Sequence, residues 1–230
     1  MRVPSAKPAK SGGWLHWLGQ PPPLRLPPPT PRHPLPTLNA PKLMREWTAA
    51  TTATALAAFA AALGVSTPAL VAVGAAWAAP HSAWAFPMCD GHGNVVGIRL
   101  RNERGKFAVR GSRQGLFLAH LPPQPTLFVC EGPTDTAAAV ALGLFAVGRP
   151  NCCCGGPDLR IYAQRHDCRR VVLIADHDKP GLDGARQVGH QLNLPFAVYV
   201  PPAKDVREFV RLGGTRAMIE NTLNNTVWNL

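Results

Sequence analysis

The chain has 230 residues, which is enough for one domain of ordinary size with an appendage but not for two large domains. Its 24 Lys and Arg residues against 13 Asp and Glu residues give a formal net charge of +11. A positive charge of this size favours association with a polyanion such as nucleic acid, although a GC-rich genome, which favours Arg and Ala in its proteins, would also produce a basic composition. Three of the six cysteines are consecutive, at positions 152–154, and cannot easily form disulfides with one another. We therefore expect reduced thiols and a cytoplasmic protein.

Residues 1–43 are rich in proline and include Pro-Pro-Pro runs at 21–23 and 27–29. Proline lacks a backbone donor and cannot sustain a helix interior or a central strand. The composition therefore predicts an extended, disordered arm for this segment.

The segment 44–85 is rich in alanine and is predicted to be helical. Its uncharged stretch, residues 48–80, is long enough for a membrane span, but Ala and Thr dominate it instead of Leu, Ile and Phe, so neither insertion nor secretion is expected. A break at residues 63–66, where Gly64 ends the first helix, divides the segment into two helices. This resembles a helix-turn-helix pair, but residues 68–73 carry no Arg, Lys, Asn or Gln to reach base edges. Packing against the following domain is the favoured role.

Residues 86–122 are predicted to contain a basic β-hairpin. Apolar and polar residues alternate over 95–101, a turn follows at 102–105, and the chain returns over 106–110. The alternation directs the apolar side chains to one face and the arginines to the other, so the hairpin offers a cationic surface for phosphate groups, with a solvated strand face as the competing interpretation. The predicted nucleic-acid-binding residues of this segment are Arg99, Arg101, Lys106, Arg110 and Arg113.

The segment 123–214 has the alternating strand and helix pattern of a parallel sheet with crossover helices, and residues 215–230 are assigned to a C-terminal tail. Strands are predicted at 126–130, 145–147, 171–175 and 196–200, and helices at 133–144 and 181–192.

Acidic residues follow two of these predicted strands directly. Glu131 comes after the first strand, and Asp176 comes after the third, with Asp178 two residues further on. Ligands of open parallel sheets bind at the carboxyl ends of the strands, and carboxylates collected there repel one another unless a cation lies between them. Oxygen ligands with room for water and phosphate suit Mg²⁺. The pattern therefore predicts a magnesium site at this edge.

Three motifs in this order resemble the Toprim family, which is shared by DnaG-type primases, topoisomerases and some nucleases. They are Glu-Gly-x-x-Asp at 131–135, Asp-x-Asp-x-x-Gly at 176–181, and Lys-Asp at 204–205. The resemblance covers residues 126–209 and implies an α/β fold with a Rossmann-like, four-stranded parallel sheet and flanking helices. The basic β-hairpin and the small helical segment would precede this domain.

The resemblance also implies roles for individual residues. Glu131 would act as a general acid or base or as a metal ligand, and Asp176 and Asp178 would hold Mg²⁺ or Mn²⁺; these three form the predicted catalytic set. Asp135 and Asp205 would be secondary metal ligands. Lys179 and Lys204 would contact phosphate oxygens as point charges.

Residues 86–117 resemble the segment that precedes Toprim in primase-like proteins of phages and plasmids. The leading hypothesis is therefore a DNA primase-type protein that joins nucleoside triphosphates on a single-stranded DNA template, in partnership with a replicative helicase and without a membrane. A Toprim nuclease is the alternative enzyme, and a non-catalytic DNA-binding or loading module of a mobile-element replication system is the alternative outside enzymes. A topoisomerase is disfavoured because Tyr162 and Tyr199 both lie inside the predicted α/β core.

Overall fold

The computed structural model describes residues 38–230. Residues 1–37 of the predicted arm lie outside the described residues. The last residues of the predicted arm, 40–43, belong to the first helix, which begins at Ala40. None of the helices in this part of the chain is long and apolar enough to cross a lipid bilayer.

Three helices open the described part of the chain: α1 (Ala40–Ala50), α2 (Ala53–Leu63) and α3 (Thr67–Ala72). The predicted break at residues 63–66 is confirmed, because α2 ends at Gly64 in the left-handed conformation with φ of 69°. The prediction of a single helix before it was wrong, because the backbone is extended at Thr51 and Thr52 and the Thr52 side chain caps a new helix. The side chain of Ser66 then accepts a hydrogen bond from the backbone N–H of Ala69 at 3.3 Å and caps α3. Leu70 of α3 is fully buried in the core cluster that also contains Ala138 of the following domain. The helices therefore pack against that domain, as expected.

The next four strands form an antiparallel sheet in the order β1-β2-β3-β4. The strands are β1 (Ala76–Ala78), β2 (Ala83–Cys89), β3 (Val95–Asn102) and β4 (Gly105–Ala108). The predicted hairpin is confirmed as β3 and β4, whose register pairs Asn102 with Gly105. Ile98 and Leu100 of β3 are fully buried in the cluster formed with Met44 and Trp47 of α1, so that the arginines lie on the opposite face.

The helical prediction was wrong for residues 76–85. These residues form β1 and the beginning of β2, separated by a short 3-10 turn at Ala79–His81. Their high alanine content favours a helix locally, but β2 pairs along most of its length with β3, and this pairing determines the structure.

The second sheet has five strands in the order β5-β7-β6-β8-β9. They are β5 (Phe117–Leu118), β6 (Thr126–Glu131), β7 (Ala146–Arg149), β8 (Arg170–Ile174) and β9 (Phe196–Tyr199). The four predicted strands are β6 to β9, and they are parallel as expected. The short strand β5, which was not predicted, adds to the edge of β7 in the antiparallel direction.

Helices cover both faces of this sheet. They are α4 (Pro133–Ala141), α5 (Gly156–Arg165), α6 (Lys179–Gly189), α7 (Val206–Arg211) and α8 (Arg216–Asn224). One core cluster holds Phe128 of β6 with residues of α4, α7 and α8, and the other holds Val129 with residues of α5 and α6. Helix α5 was not predicted, and α8 corrects the assignment of residues 215–230 to a tail. After α8, Asn229 pairs with Phe196 of β9, so this segment is attached to the sheet.

Candidate active site

The predicted acidic residues lie around the carboxyl ends of the parallel strands. Glu131 is the last residue of β6, and Asp176 follows the end of the neighbouring strand β8. Asp178 and Asp205 are the N-cap residues of α6 and α7, and Asp135 lies in the first turn of α4. The topology thus brings five carboxylates from three separate segments of the sequence to one edge of the sheet.

The pKa values show that these carboxylates act on one another. Burial, together with the negative charges of Glu131, Asp205 and Asp178, raises the pKa of Asp176 to about 6. Burial, together with the negative charges of Asp205 and Asp176, raises the pKa of Asp135 to about 7. Like charges gathered in a partly desolvated place disfavour the ionised form, and a bound cation would reverse the effect.

Two of the five carboxylates are partly used by the local structure. One oxygen of Asp178 accepts the backbone N–H of Gly181 at 2.7 Å. Asp205 accepts the backbone N–H of Glu208 at 2.7 Å and forms an ion pair with Arg207 at 3.4 Å. Both acids therefore fix helix positions, and each has less capacity left for a metal ion than its position in the sequence motif suggests.

Two other carboxylates carry buried oxygens without hydrogen-bond partners among the described residues, namely Glu131 Oε2 and Asp135 Oδ1. An unsatisfied buried acceptor is costly, and a charged one more so, so these atoms fit a cation or ordered water as their missing partner. Among residues 38–230, no three His, Cys, Asp or Glu side chains are placed so that together they could hold a metal ion. Magnesium does not require three, because it usually keeps several waters and takes one or two protein carboxylates. The donor set therefore fits Mg²⁺.

The arginines of the hairpin lie across a narrow cleft from Glu131. The cleft is lined by Arg99, Arg101, Lys106 and Glu131, together with Gly132 and Asn151. Arg101 donates a hydrogen bond of 2.7 Å to Thr134 Oγ1 in the first turn of α4, and so joins the two sheets. The guanidinium of Arg99 lies 5.9 Å from the ring centroid of Phe117, and burial lowers the pKa of Arg99. Cations from the first sheet thus face carboxylates from the second.

The remaining predicted cations are placed differently. Arg110 and Arg113 are exposed and do not line the cleft, and Lys179 forms an exposed ion pair of 2.7 Å with Asp183. Lys204 is exposed beside Asp205 and lines a second hollow, which it shares with Arg101, Arg207 and Arg211. Of the predicted cations, only Arg99, Arg101 and Lys106 thus line the cleft that contains Glu131.

Sequence reasoning missed Arg149. This residue ends β7, is paired in register with Glu131, and is fully buried. It donates a hydrogen bond to the carbonyl oxygen of Cys152, but its Nε and Nη2 atoms have no partner within the described residues. Burial lowers the pKa of Arg149, and the negative charge of Glu131 opposes this change. Its position at the end of a parallel strand, level with Glu131, was the signal that could have identified it.

Comparison with known proteins gives fold-level similarity. No protein-family model and no curated protein matches the sequence. A DnaG primase catalytic domain bound to single-stranded DNA matches with a TM-score of 0.62 and 15% identity, over 82% of this chain and 78% of the other. The Escherichia coli primase catalytic core matches with a TM-score of 0.61 and 14% identity, over 82% and 78%. The primase fragment of the bacteriophage T7 primase-helicase protein matches with 0.54 and 19%, over 70% and 71%.

These similarities define the class of fold. The chain has the mixed α/β architecture of primase catalytic domains, with a sheet of parallel strands and flanking helices. The predicted resemblance to DnaG-type primases is confirmed at the level of the fold. At 14% to 19% identity to the structures described above, activity has to be argued from the site itself.

Proposed function

We propose that this chain is a DNA primase-type protein that joins nucleotides on a single-stranded DNA template by metal-dependent nucleotidyl transfer. The observation that carries the proposal is the composite cleft. Glu131, whose Oε2 atom is buried and unpartnered among the described residues, lies on one side, and Arg99, Arg101 and Lys106 lie on the other. A carboxylate suited to a metal ion and cationic side chains suited to phosphates thus lie together in a fold shared with primase catalytic domains.

Glu131 and Asp176 would hold Mg²⁺ or Mn²⁺ directly, and Asp178, Asp135 and Asp205 would contribute to the site through ordered water. A bound metal ion would neutralise the charge that develops on the transferred phosphoryl group. Glu131 would also serve as the general base for the attacking hydroxyl group, because it ends β6 beside the cleft.

The hairpin cations would orient the anionic substrates. Arg101 is held by its hydrogen bond to Thr134, and it can keep this bond while its remaining N–H groups contact phosphate oxygens. Lys106 is exposed on β4 and acts on Asp135 and Asp176 by lowering their pKa values, so its ammonium lies within electrostatic reach of both acids. Nucleoside triphosphates and the template strand are the partners that need such a surface.

The similar structures suggest which partners this chain has. One similar domain is described as bound to single-stranded DNA, and another belongs to a primase-helicase protein. We infer a single-stranded DNA template for this chain and a replicative helicase as its partner in DNA replication, in a phage-type or plasmid-type system.

Two other functions use the same site differently. A Toprim nuclease would employ the acidic edge to cleave the strand instead of extending it. A non-catalytic loading module would need only the cationic surface, and it would bind DNA better without five carboxylates beside that surface. The crowded acids therefore favour an enzyme.

The products formed from labelled ribonucleotides decide among these functions. Purified chain is incubated with single-stranded DNA, Mg²⁺ and the nucleotides, alongside Glu131→Gln and the control Glu220→Gln. Glu220 is matched in charge but pairs with Arg216 on the surface of α8. Short oligomers from the parent and the control, with loss of at least about 100-fold in Glu131→Gln, support the proposal. Shortened template identifies a nuclease, and DNA binding without any product identifies a loading module.

A further inference from the structure

A third depression, a groove that differs from the cleft at Glu131 and from the hollow at Lys204, lies on the same face of the antiparallel sheet as the hairpin arginines. It has a volume of about 780 Å³, and its walls include Phe59 of α2, Trp77 of β1 and Trp84 of β2. The rings of Phe59 and Trp84 are stacked, with centroids 4.2 Å apart and planes 4° from parallel. Trp77 meets Trp84 edge to face at 5.5 Å. Three half-exposed aromatic rings thus form one platform.

The strand register connects this platform to the candidate active site. Trp77 pairs with Trp84, Trp84 pairs with Arg101, and Arg101 pairs with Lys106. Residues directly opposite each other in an antiparallel sheet project from the same face, so these four side chains form one row across all four strands. With strands about 4.8 Å apart, the row is roughly 14 Å long. It begins at the aromatic platform and ends at the cleft that contains Glu131.

Core packing accounts for part of the platform only. Phe59 and Trp84 pack against the core cluster between the helices and the parallel sheet. Trp77 belongs to none of the three core clusters, although its backbone N–H is held by the hydroxyl group of Thr51 at 2.8 Å. A large ring on an edge strand that no core uses has a face available for another molecule.

The charges around the platform indicate what that molecule is. Arg101 and Arg104 line the groove beside the aromatic rings, and Glu103 is the one acid that lines it as well. Aromatic faces next to arginines suit single-stranded nucleic acid, whose bases stack on the rings while its phosphates meet the cations. Duplex DNA keeps its base faces covered, so it cannot use the rings in this way.

We propose that Trp77 and Trp84 form a base-stacking platform that holds the single-stranded template and directs it along the row through Arg101 to the cleft. The inference rests on the proposed function for its ligand, and it adds a binding site outside the acidic edge. Because stacking depends on the bases and cation contacts depend on the phosphates, the two contributions can be measured separately.

The test compares the affinity of the full chain for oligo(dT) and for an abasic strand with the same number of phosphates, by fluorescence anisotropy. The parent should prefer oligo(dT). Trp77→Leu should weaken oligo(dT) binding by about 5- to 150-fold, the equivalent of one lost stacking contact, and leave abasic binding and the salt dependence unchanged. Trp77→Phe retains an aromatic face and should keep most of the preference. Trp228→Leu is the matched control, because Trp228 packs on Arg170, at the start of β8, with 4.9 Å between the guanidinium carbon and the ring centroid.

A measurement on the unmodified chain guards against loss of folding in the variants. Photocrosslinking with iodouracil-substituted oligonucleotide should join the strand to peptides containing Trp77 or Trp84. Equal affinity of the parent for oligo(dT) and the abasic strand, or an unchanged preference in a folded Trp77→Leu variant, overturns the platform. Binding of an extended peptide to this groove instead of oligo(dT) would also overturn the platform.

The outcome is separable from that of the proposed function. A Trp77-dependent base preference in a chain that forms no oligonucleotide would contradict nucleotidyl transfer and support the platform. Glu131-dependent synthesis in a chain without base preference would do the reverse.

Discussion

The antiparallel sheet and the parallel sheet contribute opposite charges to one cleft. The first sheet supplies Arg99, Arg101 and Lys106, and the second supplies Glu131, with Asp176 close enough to affect its charge. The parallel sheet has its own cation beside Glu131, Arg149, but this residue is fully buried and does not line the cleft. The comparison indicates that the site depends on how the two sheets are docked. The two contributions can be tested by separate substitutions: loss of the acids should impair metal binding, and loss of the cations should impair nucleic-acid binding.

The largest expected effect concerns metal binding at the parallel sheet. Asp176→Asn combined with Asp178→Asn should weaken Mg²⁺ binding by at least about 100-fold, because two carboxylates are lost from a site that takes few. Asp183→Asn is the control, since Asp183 is a neighbouring exposed acid paired with Lys179. Titration calorimetry measures the affinity, and parental affinity in the double variant would disprove the metal assignment.

The next effect concerns the antiparallel sheet and its contact with phosphates. Replacing Arg99, Arg101 and Lys106 by Ala should weaken single-stranded DNA binding and reduce the slope of log affinity against log salt by up to roughly two units, at about 0.7 per contact. Replacing Arg110 and Arg113, which are exposed outside the cleft, is the comparison. If the second variant changes the slope more than the first, the nucleic acid binds to the outer part of the hairpin segment.

A smaller effect concerns the free energy of unfolding of the metal-free chain, which the crowded acids lower. The pKa of Asp135 in the folded chain is about 7, above its unfolded value of about 3.9, so the folded state binds more protons between those values. Stability is therefore greatest below about pH 4 with respect to this group and falls as pH rises through 7. Asp135→Asn should flatten this fall and stabilise the metal-free chain at pH 8 by about 1–3 kcal/mol.

Urea unfolding in the presence of a chelator, at pH 5 and pH 8, measures this difference. Asp183→Asn serves again as the exposed control. Adding Mg²⁺ should stabilise the parent more at pH 8 than at pH 5, since the metal replaces the proton. A pH dependence that is identical in parent and Asp135→Asn would mean that this carboxyl group is not buried beside the other acids.

The smallest effect concerns the bond between the sheets. Arg101 and Thr134 should show a coupling energy of about 1.5 kcal/mol in a double-mutant cycle with Arg101→Met and Thr134→Val, the lower end of the range for a hydrogen bond to a charged group. The free energy of unfolding of the four proteins gives the coupling. Additive effects would show that the two residues do not interact in solution.

Short-range periodicity was enough to predict the hairpin and the parallel strands. The alternation around Ile98 and Leu100 and the apolar runs that become β6 to β9 are local signals, and they appear in the structure at nearly the predicted positions. Because parallel strands all have their carboxyl ends at the same edge of a sheet, Glu131 and Asp176 could be placed together at that edge from the sequence alone.

Other features depend on contacts that the sequence does not display. The alanine-rich strand β1 forms because it pairs with β2, and β5 is only two residues long, too short for any period. Helix α5 was missed because it begins at a pair of glycines, with Gly155 as the N-cap and Gly156 as the first residue, although its buried Leu159, Tyr162 and Ala163 have helical spacing. The roles of Asp178 and Asp205 as helix caps and the burial of Arg149 became visible only from their hydrogen bonds and surroundings.

The most direct test of the composite cleft is the rate of Mg²⁺-dependent nucleotide joining on single-stranded DNA, measured side by side for variants of each sheet. Glu131→Gln from the parallel sheet and the combined Arg99, Arg101 and Lys106 replacement from the antiparallel sheet should each abolish joining. Only the second should lose DNA affinity, whereas Glu131→Gln should bind DNA as well as or slightly better than the parent, because it removes a negative charge. Full activity in Glu131→Gln would contradict the account.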